Sequence, residues 1–127
     1  MTLLPRSLDR RGRREVVTGL MVLVAGSLAI MSALHLSGIL GGGAKPFDPT
    51  DAGIAETVIA CVLLGGAVAL TRGSRILPPV ALAFAIIGFL VGLHFTTGSG
   101  DAIDVAYHAT VLPLLALTLT TLVRTRT

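Results

Sequence analysis

The chain has 127 residues, enough for one domain, and 53% of them are apolar while only 13% are charged. With a mean hydropathy of +0.86, a soluble domain of this size could not hide its apolar surface from water, because small domains leave a large share of their surface exposed. The net charge of +3 does not mark a nucleic-acid surface, since the arginines sit at the ends of apolar runs and form no stripe along a soluble face. Cys61 is the single cysteine and so forms no intrachain disulfide.

In chain order, residues 1–15 are a polar, basic leader with Arg6, Arg10, Arg11, Arg13 and Arg14, suited to the anionic headgroups of an inner membrane face. The apolar run Val16–Leu36 follows. As a helix it is about 31 Å long, enough for one crossing and longer than the ~7–15 residues of a signal-peptide core. Gly41, Gly42, Gly43, Pro46 and Pro49 break the chain in the loop 37–50. A second span is expected over 51–70. Arg72, Gly73, Ser74 and Arg75 form a tight turn, and a third span covers 76–96, with Pro78 and Pro79 in its first turn, where proline is tolerated. Gly98, Ser99 and Gly100 make the next turn. The fourth span is 102–123, and residues 124–127 form a short basic tail. The expected fold is therefore all-α, a bundle of four transmembrane helices in the cell membrane.

Loop charge orients the bundle. The leader, the Arg72–Arg75 turn and the tail with Arg124 and Arg126 are all basic, whereas the other side carries only Lys45. The positive-inside rule places both termini in the cytoplasm. The first and third spans end in Leu34-His35-Leu36 and Leu93-His94-Phe95, and the next spans open near Asp51-Ala52 and Asp101-Ala102. Two duplicated helical hairpins would account for this echo. Gly88 and Gly92 form a GxxxG pair, and Ala25, Ala29 and Ala33 a small-residue stripe. Such positions let helix backbones approach closely, more often inside a bundle than between copies.

The residues that carry chemistry are His35, Glu56, His94 and His108, one from each span and each one or two turns from the outer end. The uncharged stretch 57–71 is only about 22 Å long as a helix, short of a ~30 Å hydrocarbon core, so Glu56 is drawn into the membrane. The same arithmetic draws in Tyr107 and His108. An ionisable group at mid-membrane costs at least ~2.5 kcal/mol and is expected to turn inward and find a partner. Taken one at a time, each histidine also reads as an interfacial residue, and Glu56 as a carboxylate favoured by its own helix dipole. Taken together they define a candidate outer-leaflet site. Three imidazoles and a carboxylate suit a metal such as Zn, Cu or Fe, His35 and His94 could grip a haem from two sides, and a quinone could exchange protons with histidine and glutamate. No HExxH, CxxC or CxxCH spacing selects among them. Pro113 frees the carbonyl of Ala109 and can bend the fourth helix beside His108. Asp48, Asp51, Asp101 and Asp104 read as solvated charge in the outer loops.

Gly53-Ile-Ala-Glu56, the aliphatic run to Leu63-Leu64-Gly65-Gly66, Arg72 and a third helix ending at His94 resemble the DoxX-like small membrane proteins over about half the chain. The resemblance implies four helices, both termini inside and association with a membrane redox system or quinone-linked partner. It assigns no catalytic residue. Gly41 to Lys45 only loosely match the glycine- and lysine-bearing end of that family's first helix.

Three functions are compatible with these features. The first is a redox-associated or ligand-binding subunit that uses the outer histidine/glutamate site. The second is a non-catalytic accessory subunit that packs in a homo-oligomer or a larger membrane complex. The third is a small oligomeric proton-coupled transporter that uses Glu56, although its helix and the scarcity of aromatics depart from four-helix drug exporters. No nucleophile with a neighbouring base and no phosphate loop is present, so soluble enzyme chemistry is not expected.

Overall fold

A computed structural model describes residues 6–40, 48–99 and 101–124. Four helices account for nearly all of them: α1 (Arg6–Leu36), α2 (Pro49–Thr71), α3 (Leu77–Ser99) and α4 (Ala102–Arg124). Gly41, Gly42, Gly43, Lys45 and Pro46 of the first loop lie outside the described residues, as do Gly100 and Arg126. The basic leader is helical from Arg6 and continuous with the first span. Arg11 pairs with Glu15 and Arg13 with Asp9, both one turn apart on the exposed side of α1.

The helix ends follow local chemistry. Gly38 (φ 78°) and Gly73 (φ 85°) take the left-handed conformation that closes α1 and α2. At each end the following amides fold back on the last turn, with Ile39 N donating to Leu34 O and Ser74 N donating to Ala69 O. Asp48 caps α2 by accepting from Thr50 N at 2.8 Å, and Asp101 accepts from Ile103 N and Asp104 N at the start of α4. Pro113 lies inside α4, on its exposed side, and the helix runs through it.

Consecutive helices pack as neighbours, α1 and α4 close the ring, and α1 and α2 are the most intimate pair. Glycine makes the close approaches. A Cβ at Gly53 would lie 2.6 Å from Leu36 Cγ, one at Gly66 would lie 2.6 Å from Ala81 Cβ, and one at Gly88 would lie 2.6 Å from Ile59 Cδ1. Both glycines of the GxxxG pair face neighbours within the bundle, Gly88 against Ile59 and Gly92 against His108. The core runs along its axis through Val17, Met21, Leu28, Leu63, Leu82, Phe89 and Leu115.

The outer surface is as apolar as the core, with Leu23, Ile30, Ile87 and Leu117 all more than 60% exposed. In the most hydropathic window of each helix no more than 50% of the residues are buried. Helices that are apolar all round yet largely unburied need a lipid solvent. All four are long and apolar enough to cross a membrane.

Candidate functional site

The polar residues of the bundle interior meet at the end that carries the α1–α2 and α3–α4 connections. His35 comes from the last turn of α1, and Glu56 from the second turn of α2. Asp104 and His108 lie one turn apart on α4. His35 is 1% exposed, Glu56 5%, Asp104 0% and His108 6%. The hydrogen-bonded step between α1 and α2 sets their height: Ser32 Oγ lies 2.7 Å from Gly53 O and 2.7 Å from Thr57 Oγ1. Gly53 lets α2 come close enough to bring Glu56 level with His35.

His35 bridges two carboxylates. Its Nδ1 lies 2.8 Å from Glu56 Oε2 and its Nε2 lies 3.2 Å from Asp104 Oδ2. A neutral imidazole has a single N–H, so two ionised carboxylates would leave one ring nitrogen presenting a lone pair to an anion. One further proton, on the imidazole or on a carboxyl group, would satisfy both contacts. His108 extends the chain. Its Nδ1 lies 2.9 Å from the backbone O of Asp104 and 3.1 Å from Oδ1. The single N–H points to the carbonyl, leaving Oδ1 buried with no hydrogen-bond partner among the described residues. An orphaned buried carboxylate oxygen is costly and calls for a donor. With Nδ1 as the donor, a neutral His108 presents Nε2 as an acceptor. This nitrogen sits against Gly92, where a Cβ would come within 2.5 Å of it.

These groups form one end of a cavity of about 520 Å³. Its walls are mostly apolar and come from α2 and α3, including Val58, Ile59, Phe84, Ile87, Val91 and Phe95. Ala55, Val58, Ile87 and Val91 are exposed, so the cavity opens sideways between the two helices. Asp48 and Asp51 stand at its rim.

Of the four residues expected at the site, His35, Glu56 and His108 line this cavity. His94 stands apart, exposed and edge-on to Phe95 with ring centroids 5.5 Å apart. His35 and His94 therefore do not flank a common space, as a haem held from two sides would require. Asp104, expected as a solvated loop charge, is instead the most deeply buried member of the group. Glu56 does not cap its helix, since Asp48 does that. Asp104 lies one turn before His108 on the same helix face, but that spacing alone does not distinguish it from a solvated first-turn aspartate.

A metal ion is a further possibility for this donor set. His35, Glu56 and Asp104 each offer a ligand atom, all within 4.8 Å of one another. Both nitrogens of His35 are occupied by carboxylates, however, so an ion would have to displace one of these hydrogen bonds. No family model, curated protein or solved structure matches the chain.

Proposed function

We propose that this chain is a small multi-pass membrane protein, with both termini in the cytoplasm, that binds an amphipathic ligand in the outer half of the bilayer. The observation that carries this reading is an apolar, sideways-opening cavity ending on a buried, hydrogen-bonded His35–Glu56–Asp104–His108 chain. Its volume of about 520 Å³ lies in the range of small-molecule sites, and so does its make-up of apolar walls and a few convergent polar groups. Asp104 Oδ1 is an unpartnered acceptor, and Nε2 of a neutral His108 is a second, so a ligand head that donates fits the site. A quinol, with two hydroxyls on an apolar ring and a prenyl tail, has that chemistry. The DoxX-like resemblance, with its quinone-linked partners, points the same way.

The test is calorimetric titration of a short-chain quinol analogue into the purified protein in lipid nanodiscs. Saturable binding is expected, and Asp104→Asn should weaken it about tenfold, since hydrogen bonds to a charged group contribute ~1.5–3 kcal/mol. Lack of binding, or binding indifferent to Asp104, would remove the proposal. Zinc binding that excludes the analogue would instead favour the metal reading.

A further inference from the structure

A second cavity, of about 390 Å³, lies at the opposite end of the bundle. It is lined by Arg10 and Arg14 of α1, Leu70 at the end of α2, Gly73, Ser74 and Arg75 of the connecting turn, and Leu122 of α4. Nothing in the ligand-binding reading uses it.

The arginines of α1 divide by face. Arg11 and Arg13 point outward and are neutralised by Glu15 and Asp9. Arg10 and Arg14 lie one turn apart, on the stripe that continues into the buried residues Val17, Met21 and Val24. They face the bundle end, and neither they nor Arg75 has an ion pair with any described residue. The turn holds Arg75 opposite them. Gly73 takes a positive φ there, and Ser74 Oγ accepts from Leu77 N at 3.3 Å. Three uncompensated guanidiniums thus converge over two leucines at the depth where the apolar spans begin. That is the chemistry of a lipid phosphate with its acyl chains: Arg forks match phosphate oxygens, and the leucines meet the first methylenes.

We propose that Arg10, Arg14 and Arg75 form a specific site for the phosphate of an anionic phospholipid headgroup. The geometry separates this from diffuse attraction to a charged membrane surface, because only the inward arginines take part.

The experiment uses the full chain in a neutral detergent and measures the affinity of dihexanoyl phosphatidylglycerol, dihexanoyl phosphatidylcholine and inorganic phosphate. The anionic lipid is expected to bind about tenfold or more tighter than the zwitterionic one, given ~1 kcal/mol for each basic residue near a membrane surface. The double variant R10Q/R14Q should abolish that preference. R11Q/R13Q removes the same formal charge from the outward face and should retain it. R75Q lies on a connecting turn and should weaken the preference even if the double variant fails to fold. Equal loss in R11Q/R13Q and R10Q/R14Q would overturn the proposal in favour of diffuse charge. Inorganic phosphate binding as tightly as the anionic lipid would overturn it in favour of a soluble anion. A wild-type chain with no lipid preference would also overturn it.

Discussion

His35 holds two buried carboxylates, and its removal leaves both without their common partner. Breaking a buried ionic network by deleting one member costs about 3–5 kcal/mol. His35→Ala is therefore expected to lower stability by roughly that amount. Glu56→Gln keeps a hydrogen-bonding group against His35 and should cost less than half as much. Unfolding in a denaturing detergent, followed by loss of helical circular dichroism, checks both, and equal stability of His35→Ala and wild type would contradict the network. Gly92 tests the cavity more gently. A Cβ there meets the tip of the His108 ring, a side chain that can shift. Gly92→Ala should fold and insert normally yet bind the quinol analogue about tenfold more weakly, as a misplaced hydrogen-bond partner does. At this scale the sequence was half legible. Glu56 announced itself through the arithmetic of span length, and His35 through its position at the end of an uninterrupted apolar run. Asp104 did not, because an aspartate in the first turn of a helix is ordinarily a solvated residue favoured by the dipole. Its burial depends on a tertiary contact with His35 of α1, and local spacing carries no record of that. The echo between His35 and His94 did not extend to burial, since the two helices present those positions to different surroundings.

The elements themselves were legible almost residue by residue, because a span in lipid must be a long apolar helix and little else satisfies its backbone. The expected spans 51–70 and 102–123 differ from α2 and α4 by no more than two residues at either end. Two helices run further than expected: α3 continues to Ser99, past the expected end at 96 and through Gly98 and Ser99 of the expected turn, and α1 starts at Arg6 and absorbs the described part of the basic leader. Pairs of charged residues one turn apart, Asp9 with Arg13 and Arg11 with Glu15, support that extension. Glycine packing gives a prediction at this scale, since Gly65 and Gly66 are adjacent in sequence and opposite in role. A Cβ at Gly66 would strike Ala81 Cβ of α3 at 2.6 Å, and one at Gly65 would meet nothing within 4 Å. Gly66→Ala must move α2 and α3 apart and should destabilise by about 1–3 kcal/mol. Gly65→Ala should be neutral or slightly stabilising, because alanine is the better helix former by ~1 kcal/mol. Thermal melts of the two variants in one detergent decide this, and equal melts would contradict the packing.

For the whole molecule, the bundle places its two sets of charges at opposite ends. The end that carries the α1–α2 and α3–α4 connections holds the buried carboxylates and the acidic rim, and the other holds the inward arginines. In the proposed orientation, with the arginine end in the cytoplasm, the ligand cavity would lie in the outer half of the bilayer. Reporter fusions should be active as cytoplasmic markers at either terminus and in the Arg72–Arg75 turn, and as external markers in the loop 37–50; the reverse pattern would invert the molecule. The central claim is that the hydrogen-bonded chain of His35, Glu56, Asp104 and His108 receives the head of the ligand. The chain has three histidines, so ring-nitrogen NMR of the nitrogen-15-labelled protein tests it directly as quinol analogue is added. The His108 and His35 ring resonances should shift together and saturate while that of His94 stays fixed. A shift confined to His94, or none at all on ligand binding, would contradict the account.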